Sequence, residues 1–138
     1  MTKVDGVDVL LVEDNELDAE MTMRTLSRFD TPPVVKWARD GEEALEFLKS
    51  NPRPRLVLLD LKMPKVGGIE VLRELRATDR ADTVPVVVLT SSTQDHDIGE
   101  CYRLGANGFV VKPVNLGELE RVVHRIGLFW LTVNTPPE

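Results

Sequence analysis

Short apolar runs alternate with amphipathic stretches five times along this chain of 138 residues. The runs cover residues 7–12, 34–38, 56–60, 84–90 and 108–111. Three of them are rich in β-branched residues and apolar at consecutive positions, which is typical of strands covered on both faces. The second run, VVKWA, is weaker and predicts an edge strand. Strands that alternate with helices predict an α/β fold in which right-handed crossovers join the strands of a parallel sheet.

The stretches between the runs carry apolar residues at helical spacing. In the fourth stretch the pattern stops at Gly105, which we interpret as the glycine that follows a helix. The last stretch has the clearest stripe, made of Leu119, Val122, Val123, Ile126, Phe129 and Trp130. Five strands and five helices in this length suit a flavodoxin-like doubly wound (βα)5 fold with strand order 2-1-3-4-5. In that order strands one and three are neighbours, and ligands bind at the switch point between them.

Composition and charge restrict the class of protein. The chain is 42% apolar and 29% charged, a mixture typical of soluble globular domains. Its net charge of −6 argues against a nucleic-acid partner and against anionic membrane surfaces. Cys101 is the only cysteine, so no internal disulfide can form, and we expect a reducing, cytoplasmic location. The sequence shows neither a signal peptide nor an apolar run approaching about 18 residues, the length of a membrane span.

Three acidic residues and one lysine stand where the predicted strands end. Glu13 and Asp14 follow the first run, Asp60 closes the third, and Lys112 follows the fifth. Because the carboxyl ends of parallel strands meet at one edge of a sheet, we expect these four side chains to converge. Crowded carboxylates repel one another unless a hard divalent cation neutralises them. The pattern therefore predicts a magnesium site, and the lysine beside it indicates that a further anion binds.

The acidic residue after the first strand has an alternative role, because an aspartate there commonly caps the next helix. Asp14 taken alone fits that role as well, but Asn15 can provide the same cap. We expect Mg²⁺ to take oxygens from Asp14, Asp60 and the backbone carbonyl of Lys62, with waters held by Glu13. A magnesium ion, a lysine and a spare carboxylate suit an aspartate that accepts a phosphoryl group.

Asp60 is the residue that we predict to accept the phosphoryl group. A carboxylate attacks phosphorus only weakly, and magnesium together with Lys112 would offset the repulsion and hold the reactants in line. The peptide between Lys112 and Pro113 is a candidate for a cis bond, which would aim the ammonium inward. Thr90 ends the fourth run and is a helix cap, a strand residue, or a hydroxyl that donates to a phosphoryl oxygen. In the last case it can shift a two-state equilibrium.

Together these residues resemble the receiver domains of two-component response regulators. The resemblance spans residues 7 to 126 and is carried by Glu13-Asp14, Asp60, Met63-Pro64, Gly67-Gly68, Thr90 and Lys112-Pro113. It implies that Asp60 takes a phosphoryl group from the phosphohistidine of a sensor histidine kinase. It implies as well that Mg²⁺ is required and that Glu13 and Asp14 serve the metal.

The same resemblance implies that Thr90 and Lys112 contact the phosphoryl group and that Phe109 is an aromatic switch. Thr90 would be coupled to rotation of Phe109, which remodels the face made by helix four, strand five and helix five. The alternative is that Phe109 is a plain buried aromatic. Lys62 and Ser92 occupy the two positions that tune hydrolysis in this family. Because Lys62 is a cation where smaller or polar residues are common, the lifetime of the phosphoryl group is not predicted.

The C-terminal segment GLFWLTVNTPPE resembles the end of stand-alone receivers that serve bacterial and cyanobacterial phytochrome kinases. That resemblance implies a phytochrome light-signalling pathway, and a homodimer with Phe129, Trp130 and Leu131 at its interface. Leu128 and Leu131 lie off the apolar stripe, so an exposed apolar patch at the helix end favours the dimer. The alternative is that Phe129 and Trp130 complete the core stripe.

The resemblance divides the chain into an N-terminal tail (1–6), a receiver domain (7–127) and a C-terminal extension of the last helix (128–138). We predict a phosphoacceptor rather than an enzyme. Two other functions fit: a phosphate sink or phosphorelay intermediate for another histidine kinase, and a receiver-fold binding module that is not phosphorylated. A phosphatase of the haloacid dehalogenase type would need an aspartate where Lys62 stands. A flavodoxin-type FMN protein would need a hydroxyl- and glycine-rich loop in place of EDNELD.

Overall fold

A computed structural model describes residues 6–50, 53–78 and 82–137 of the chain. Within these residues five strands alternate with five α-helices, and a short π-helix follows. The elements are β1 (Val9–Val12), α1 (Glu16–Ser27), β2 (Val35–Ala38), α2 (Gly41–Ser50), β3 (Leu56–Leu59), α3 (Gly68–Arg76), β4 (Val86–Thr90), α4 (Asp95–Arg103), β5 (Gly108–Val111), α5 (Leu116–Gly127) and the C-terminal π segment (Leu128–Val133). Residues 1–5 of the predicted tail and Glu138 lie outside the described residues. None of the helices in the described ranges has the length and apolar character needed to cross a membrane.

The strands form one parallel sheet with the predicted order β2-β1-β3-β4-β5. β1 and β3 are neighbours, with Val12 beside Leu59 at their carboxyl ends. On the other side of β3 lies β4, which pairs in turn with β5, so that Thr90 lies beside Val111. The flavodoxin-like doubly wound prediction is confirmed. Because every pair is parallel, the carboxyl ends of all five strands lie at the same edge of the sheet.

Two apolar layers cover the two faces of the sheet. Leu10 and Val12 of β1 belong to the layer completed by α2, α3 and α4, whereas Val9 and Leu11 belong to the layer completed by α1 and α5. All residues of β1, β3 and β4 are buried, which explains why their runs are apolar at consecutive positions. In β2 only Ala38 is buried, so the weak second run forms the edge strand, as predicted.

Two glycines have conformations or surroundings that exclude other residues. Gly105 follows α4 with a φ of 95°, the left-handed conformation predicted for the end of that helix. Gly68 begins α3, and a Cβ atom there would lie 2.2 Å from the carbonyl oxygen of Asp60. The loop after β3 therefore folds back so that α3 starts against the backbone of Asp60.

The C-terminal end of the last helix differs from the predicted stripe. The stripe included Phe129 and Trp130 and excluded Leu131, whereas Leu131 is only 7% exposed and Phe129 is 48% exposed. Trp130 is half-buried against the layer formed with α1 and α5. The prediction that Leu131 lies at a dimer interface is wrong, because this side chain is buried inside its own chain.

The physical reason for this difference is a change of helix type after α5. In the π segment the Asn134 N–H donates to the carbonyl of Phe129, five residues earlier, at 2.7 Å. The wider turn brings Leu131, five residues after Ile126, onto the buried face. Arg55, directly before β3, donates to the carbonyl of Leu131 at 2.6 Å and fixes the segment to the sheet.

Candidate functional site

The carboxyl edge of the sheet brings together the residues that the sequence placed at strand ends. Glu13 and Asp60 directly follow β1 and β3, and the Asp60 N–H donates to the carbonyl of Val12 at 3.0 Å. Lys112 directly follows β5, and its N–H donates to the carbonyl of Thr90 at 2.6 Å. These bonds continue the strand pairing one residue past the strands. The sheet itself therefore fixes the backbone of the site.

Glu13, Asp14 and Asp60 form a group of carboxylates suited to a metal ion. Each offers one oxygen, and these oxygens lie within 4.8 Å of one another. Glu13 and Asp60 are buried and Asp14 is exposed, so the group is reached from solvent on the side of Asp14. The Lys62 N–H donates to Asp60 Oδ1 at 3.4 Å. This contact folds the loop after β3 around the Asp60 carboxylate. An all-oxygen donor set with excess negative charge is what Mg²⁺ prefers, so these residues fit the ion.

Asn15, and not Asp14, caps α1. The Asn15 Oδ1 accepts from the Asp18 N–H at 2.9 Å. The Asn15 N–H in turn donates to Glu13 Oε2 at 3.1 Å, so the cap and the buried acid are connected. Of the two roles that the sequence left open for Asp14, the capping role is therefore filled by its neighbour.

The Lys112 ammonium lies among three carboxylates. Its Nζ is 2.8 Å from Asp18 Oδ2, 3.0 Å from Glu13 Oε1 and 3.5 Å from Asp60 Oδ2, and the side chain is only 9% exposed. The ammonium thus points inward, but the peptide between Lys112 and Pro113 is not cis. The cis prediction is wrong because the long lysine side chain reaches the acids from the end of β5 with an ordinary trans peptide.

Burial and charge shift the protonation of two of these groups. Burial, and after it repulsion from Asp60, raises the pKa of Glu13 from 4.5 to about 8, although Lys112 opposes the shift. For Lys112, burial lowers the pKa, but the hydrogen bond to Asp18 and the charges of Glu13 and Asp60 outweigh burial and raise it. The ammonium therefore stays charged. A divalent cation that replaces the proton on Glu13 would relieve the crowding of negative charge.

Asp18 is a site residue that the sequence reasoning missed. It lies in the first turn of α1, and its contact with Lys112 is the shortest that the ammonium makes. The available signal was its position four residues after Asp14, about one helical turn further along the chain. That signal is easily overlooked, because acidic residues in a first turn also suit the positive end of the helix dipole.

Trp37 of β2 supports the loop that carries the acids. Its indole N–H donates to the carbonyl of Glu13 at 2.8 Å. The Arg39 guanidinium lies 4.2 Å from the centre of the indole ring and covers it. The sequence gave no sign of the link between this tryptophan and the site. Because the ring adjoins the backbone of Glu13, its fluorescence can report on binding at the carboxylates.

Thr90 and the residues after it connect the sheet edge to α4. Thr90 is fully buried, and its Oγ1 accepts from the Ser92 N–H at 3.4 Å. The Ser92 hydroxyl donates to Asp97, in the first turn of α4, at 2.5 Å. Phe109 of β5 lies beside Val88 and packs against the layer formed with α2, α3 and α4. Two hydrogen bonds thus link the predicted phosphoryl-contacting hydroxyl to the start of α4.

Comparison with known families identifies the class of this protein. A family model described as the response regulator receiver domain matches residues 9–124, from the start of β1 into α5. The matched stretch contains the carboxylate group, Thr90 and Lys112. The chain therefore belongs to the response regulator receiver domain family.

Two relatives match the chain over most of their own length. The probable methanogenesis regulatory protein FilR2 of Methanothrix harundinacea is 40% identical over 134 residues, which cover 94% of this chain and 86% of FilR2. The response regulator Rcp1 of Synechocystis sp. is 37% identical over 135 residues, which cover 94% of this chain and 92% of Rcp1.

Solved structures agree with the fold, and one of them holds a divalent cation. The phosphorylated cyanobacterial phytochrome response regulator RcpA matches with a TM-score of 0.92 and 37% identity, over 96% of this chain and 99% of RcpA. The Mn²⁺-bound form of Rcp1 matches with a TM-score of 0.89 and 37% identity, over 94% of this chain and 98% of Rcp1. A relative of this chain thus binds a divalent cation, and the chain itself has a fitting group of carboxylates.

Proposed function

We propose that this chain is a response regulator that accepts a phosphoryl group on Asp60 from the phosphohistidine of a sensor histidine kinase, with Mg²⁺ required. The observation that carries the proposal is the setting of Asp60, a buried carboxylate that belongs to the metal-suited group and lies 3.5 Å from Lys112 Nζ. A phosphoryl group on this carboxylate would adjoin the lysine ammonium and the cation site. The chain acts as a phosphoacceptor that assists its own phosphorylation and slow dephosphorylation, and not as a turnover enzyme.

In the proposed transfer an oxygen of Asp60 attacks the phosphorus, and the bond from the histidine nitrogen to phosphorus breaks. The imidazole nitrogen keeps the bonding electrons and takes up a proton. Mg²⁺ supplies, when bound, positive charge for the phosphoryl oxygens. Glu13, Asp14, Asp60 and the Lys62 carbonyl would hold that ion. Lys112 directs an N–H donor to the transferred group, which stabilises the charge that moves onto it.

The proposed switch begins with the hydroxyl of Thr90. Once a phosphoryl group is present, this hydroxyl donates to it, and its contact with the Ser92 N–H is lost. Ser92 holds the first turn of α4 through Asp97, so the movement is passed to that helix. Phe109 follows by rotating, which remodels the face made by α4, β5 and α5. Lys62 and Ser92 tune the rate at which the phosphoryl group is hydrolysed.

The chain forms, in this proposal, a homodimer through its C-terminal π segment. Leu128 and Phe129 are each 48% exposed and Val133 is 64% exposed. The Phe129 ring packs edge-on against Trp130, with ring centres 5.0 Å apart, so a partner would meet a preformed aromatic pair. Exposed apolar side chains grouped at one helix end are best buried by a second copy of the same surface. Leu131 supports the segment from inside its own chain and does not reach the partner.

The partner that we propose is a phytochrome histidine kinase acting in the cytoplasm, with no part for nucleic acid or membrane surfaces. RcpA, a cyanobacterial phytochrome response regulator, supports this assignment through its 37% identity. FilR2, at 40% identity, has a name that points to methanogenesis and so favours a different kinase as the partner. A phosphate sink or relay intermediate for another kinase is the alternative function. Phosphotransfer profiling against every histidine kinase of the host distinguishes a phytochrome kinase from another partner, because the cognate kinase transfers its phosphoryl group fastest.

The direct test is transfer of labelled phosphate from acetyl phosphate or from an autophosphorylated kinase, with and without Mg²⁺. We expect acid-stable, base-labile label that maps to the peptide containing Asp60 and disappears when Mg²⁺ is removed. Beryllofluoride with Mg²⁺ should also change the tryptophan fluorescence, since Trp37 contacts Glu13. If the protein takes no label and gives no response to beryllofluoride, it is a binding module that keeps the receiver fold without phosphorylation.

A further inference from the structure

The Lys112 ammonium is already occupied in the resting arrangement. An ammonium group has three N–H donors. Two of those of Lys112 are used in hydrogen bonds, to Asp18 at 2.8 Å and to Glu13 at 3.0 Å, and Nζ lies 3.5 Å from Asp60 Oδ2, an ion-pair distance. A phosphoryl group on Asp60 therefore competes for this ammonium with the two carboxylates that already hold it by hydrogen bonds. The question is which carboxylate still holds the ammonium when the phosphoryl group arrives.

The metal group separates these three carboxylates into two kinds. Glu13 and Asp60 belong to the group whose oxygens lie within 4.8 Å of one another, and Asp18 does not belong to it. In the proposed reaction a bound cation draws Glu13 and Asp60 toward itself. Asp18 has no such competing attraction and makes the shortest contact with the ammonium. It is thus the carboxylate that competes most strongly with a phosphoryl group for Lys112.

The backbone of Asp18 is fixed, but its side chain can be released. Its N–H is bonded to Asn15 Oδ1 at 2.9 Å, which anchors the residue in the first turn of α1. Its side chain is 20% exposed, more than that of Glu13 or Asp60, so water can replace the ammonium as its partner. Rotation of one side chain is therefore enough to free the lysine, and neither the helix nor the sheet edge has to move.

We propose that Asp18 is a positioning residue that competes with the phosphoryl group for Lys112. It holds the ammonium in place while the site is empty, and it lowers the affinity of the site for a phosphoryl group by the strength of that ion pair. The inference rests on the proposed function, because it assumes that Asp60 is the phosphoryl acceptor.

The test is the affinity of Mg²⁺-saturated protein for beryllofluoride, which imitates a phosphoryl group on an aspartate. We expect Asp18→Asn to bind beryllofluoride about three- to tenfold more tightly than the wild type, since it removes the competing charge. Asp18→Glu, which keeps a carboxylate at this position, should return the affinity toward the wild-type value. Glu16→Gln is the matched control, because it removes an exposed charge from the same helix turn. It should change the affinity less than about twofold.

Two measurements keep the result interpretable. Mg²⁺ affinity is measured separately for each variant, because loss of a nearby negative charge weakens cation binding and must not be mistaken for an effect on the anion. In the wild type, the carboxylate carbon signal of Asp18 should shift in NMR spectra when beryllofluoride is added to Mg²⁺-loaded protein. This second measurement needs no substitution and does not depend on how well a variant folds.

The outcomes separate the inference from the function on which it rests. Equal or weaker binding of beryllofluoride by Asp18→Asn at saturating Mg²⁺, or an unmoved Asp18 signal, overturns the role of Asp18 while Asp60 remains the acceptor. If the wild type does not bind beryllofluoride at all, the proposed function is wrong and the inference falls with it.

Discussion

The carboxyl edge of the sheet and the C-terminal π segment (Leu128–Val133) are positioned by different interactions. At the sheet edge, backbone hydrogen bonds tie Asp60 and Lys112 to neighbouring strands, so the place of each side chain follows from its position after an apolar run. In the π segment no strand fixes the register, and the number of residues per turn decides which side chains face inward. That is why Leu131 is buried and Phe129 is exposed.

The two regions also differ in what they contribute to the molecule. The sheet edge gathers carboxylates around one ammonium, an arrangement that suits the proposed phosphoryl transfer and disfavours folding in the absence of a cation. The π segment buries Leu131 and presents Phe129, so it contributes apolar stabilisation and a surface for a partner. Substitutions at the sheet edge should therefore change chemistry without loss of stability. Substitutions in the π segment should change stability or association without loss of chemistry.

The largest effect is expected for Asp60→Asn, which removes the attacking carboxylate. Label from acetyl phosphate or from a kinase should fall to background, while the unfolding free energy stays the same or rises because one buried charge is gone. Asp95→Asn in the first turn of α4 is the matched control and should label normally. Asp60→Asn protein that takes up the same acid-stable, base-labile label as the wild type would reject the acceptor assignment.

A large loss of stability is expected for Leu131→Ala. This side chain is 7% exposed, so truncation should lower the unfolding free energy by about 2–4 kcal/mol in chemical denaturation. Val133→Ala in the same segment removes a side chain that is 64% exposed. It should change the unfolding free energy by less than about 0.5 kcal/mol. Labelling of Asp60 should be retained in both variants. A negligible change for Leu131→Ala would contradict the register given by the π-helix.

A pH-dependent effect of intermediate size is expected from Glu13. Its pKa is about 8 when folded and 4.5 in the ordinary case, so the folded state binds more protons between these values. The unfolding free energy of the metal-free protein should therefore fall as pH rises through this range. Glu13→Gln cannot ionise, so at pH values above 8 it should be more stable than the wild type by about 1–2 kcal/mol.

The advantage of Glu13→Gln should shrink toward zero below the ordinary pKa of a glutamate. Thermal unfolding of both proteins across the pH range, without divalent cations, measures the difference directly. Added Mg²⁺ should stabilise the wild type more than the variant, because the wild type keeps all of its carboxylates. A difference between the two proteins that does not vary with pH would show that the pKa of Glu13 is the same in the folded and unfolded states.

The smallest effect is expected for Phe129→Ala, which should weaken self-association about tenfold. Sedimentation velocity over a series of concentrations measures it, and the unfolding free energy should change little because the ring is 48% exposed. Trp130→Ala should weaken association as well, with an added cost in stability because Trp130 is half-buried in its own chain. Val34→Ala removes an apolar side chain that is 53% exposed directly before the edge strand β2, and it should leave the sedimentation profile unchanged. Identical profiles for Phe129→Ala and the wild type would exclude the proposed interface.

The sequence was sufficient for the order of the elements, the order of the strands and the convergence of Glu13, Asp14, Asp60 and Lys112. It was sufficient because a buried parallel strand must be apolar at every position, and because residues that follow such strands must lie at one edge. It was not sufficient for Asp18, whose contact with Lys112 joins positions 94 residues apart and has no short-range signature.

The tertiary structure alone decided two features: the pairing of Lys112 with Asp18 and the burial of Leu131. Each depends on side chains or backbone that are distant in sequence, such as Arg55 donating to the carbonyl of Leu131. Local sequence determined where strands and helices begin and which residues follow them, because hydrophobic period and turn chemistry act over a few residues. Ion pairing and helix register at a chain end depend on packing partners, and those exist only in the folded protein.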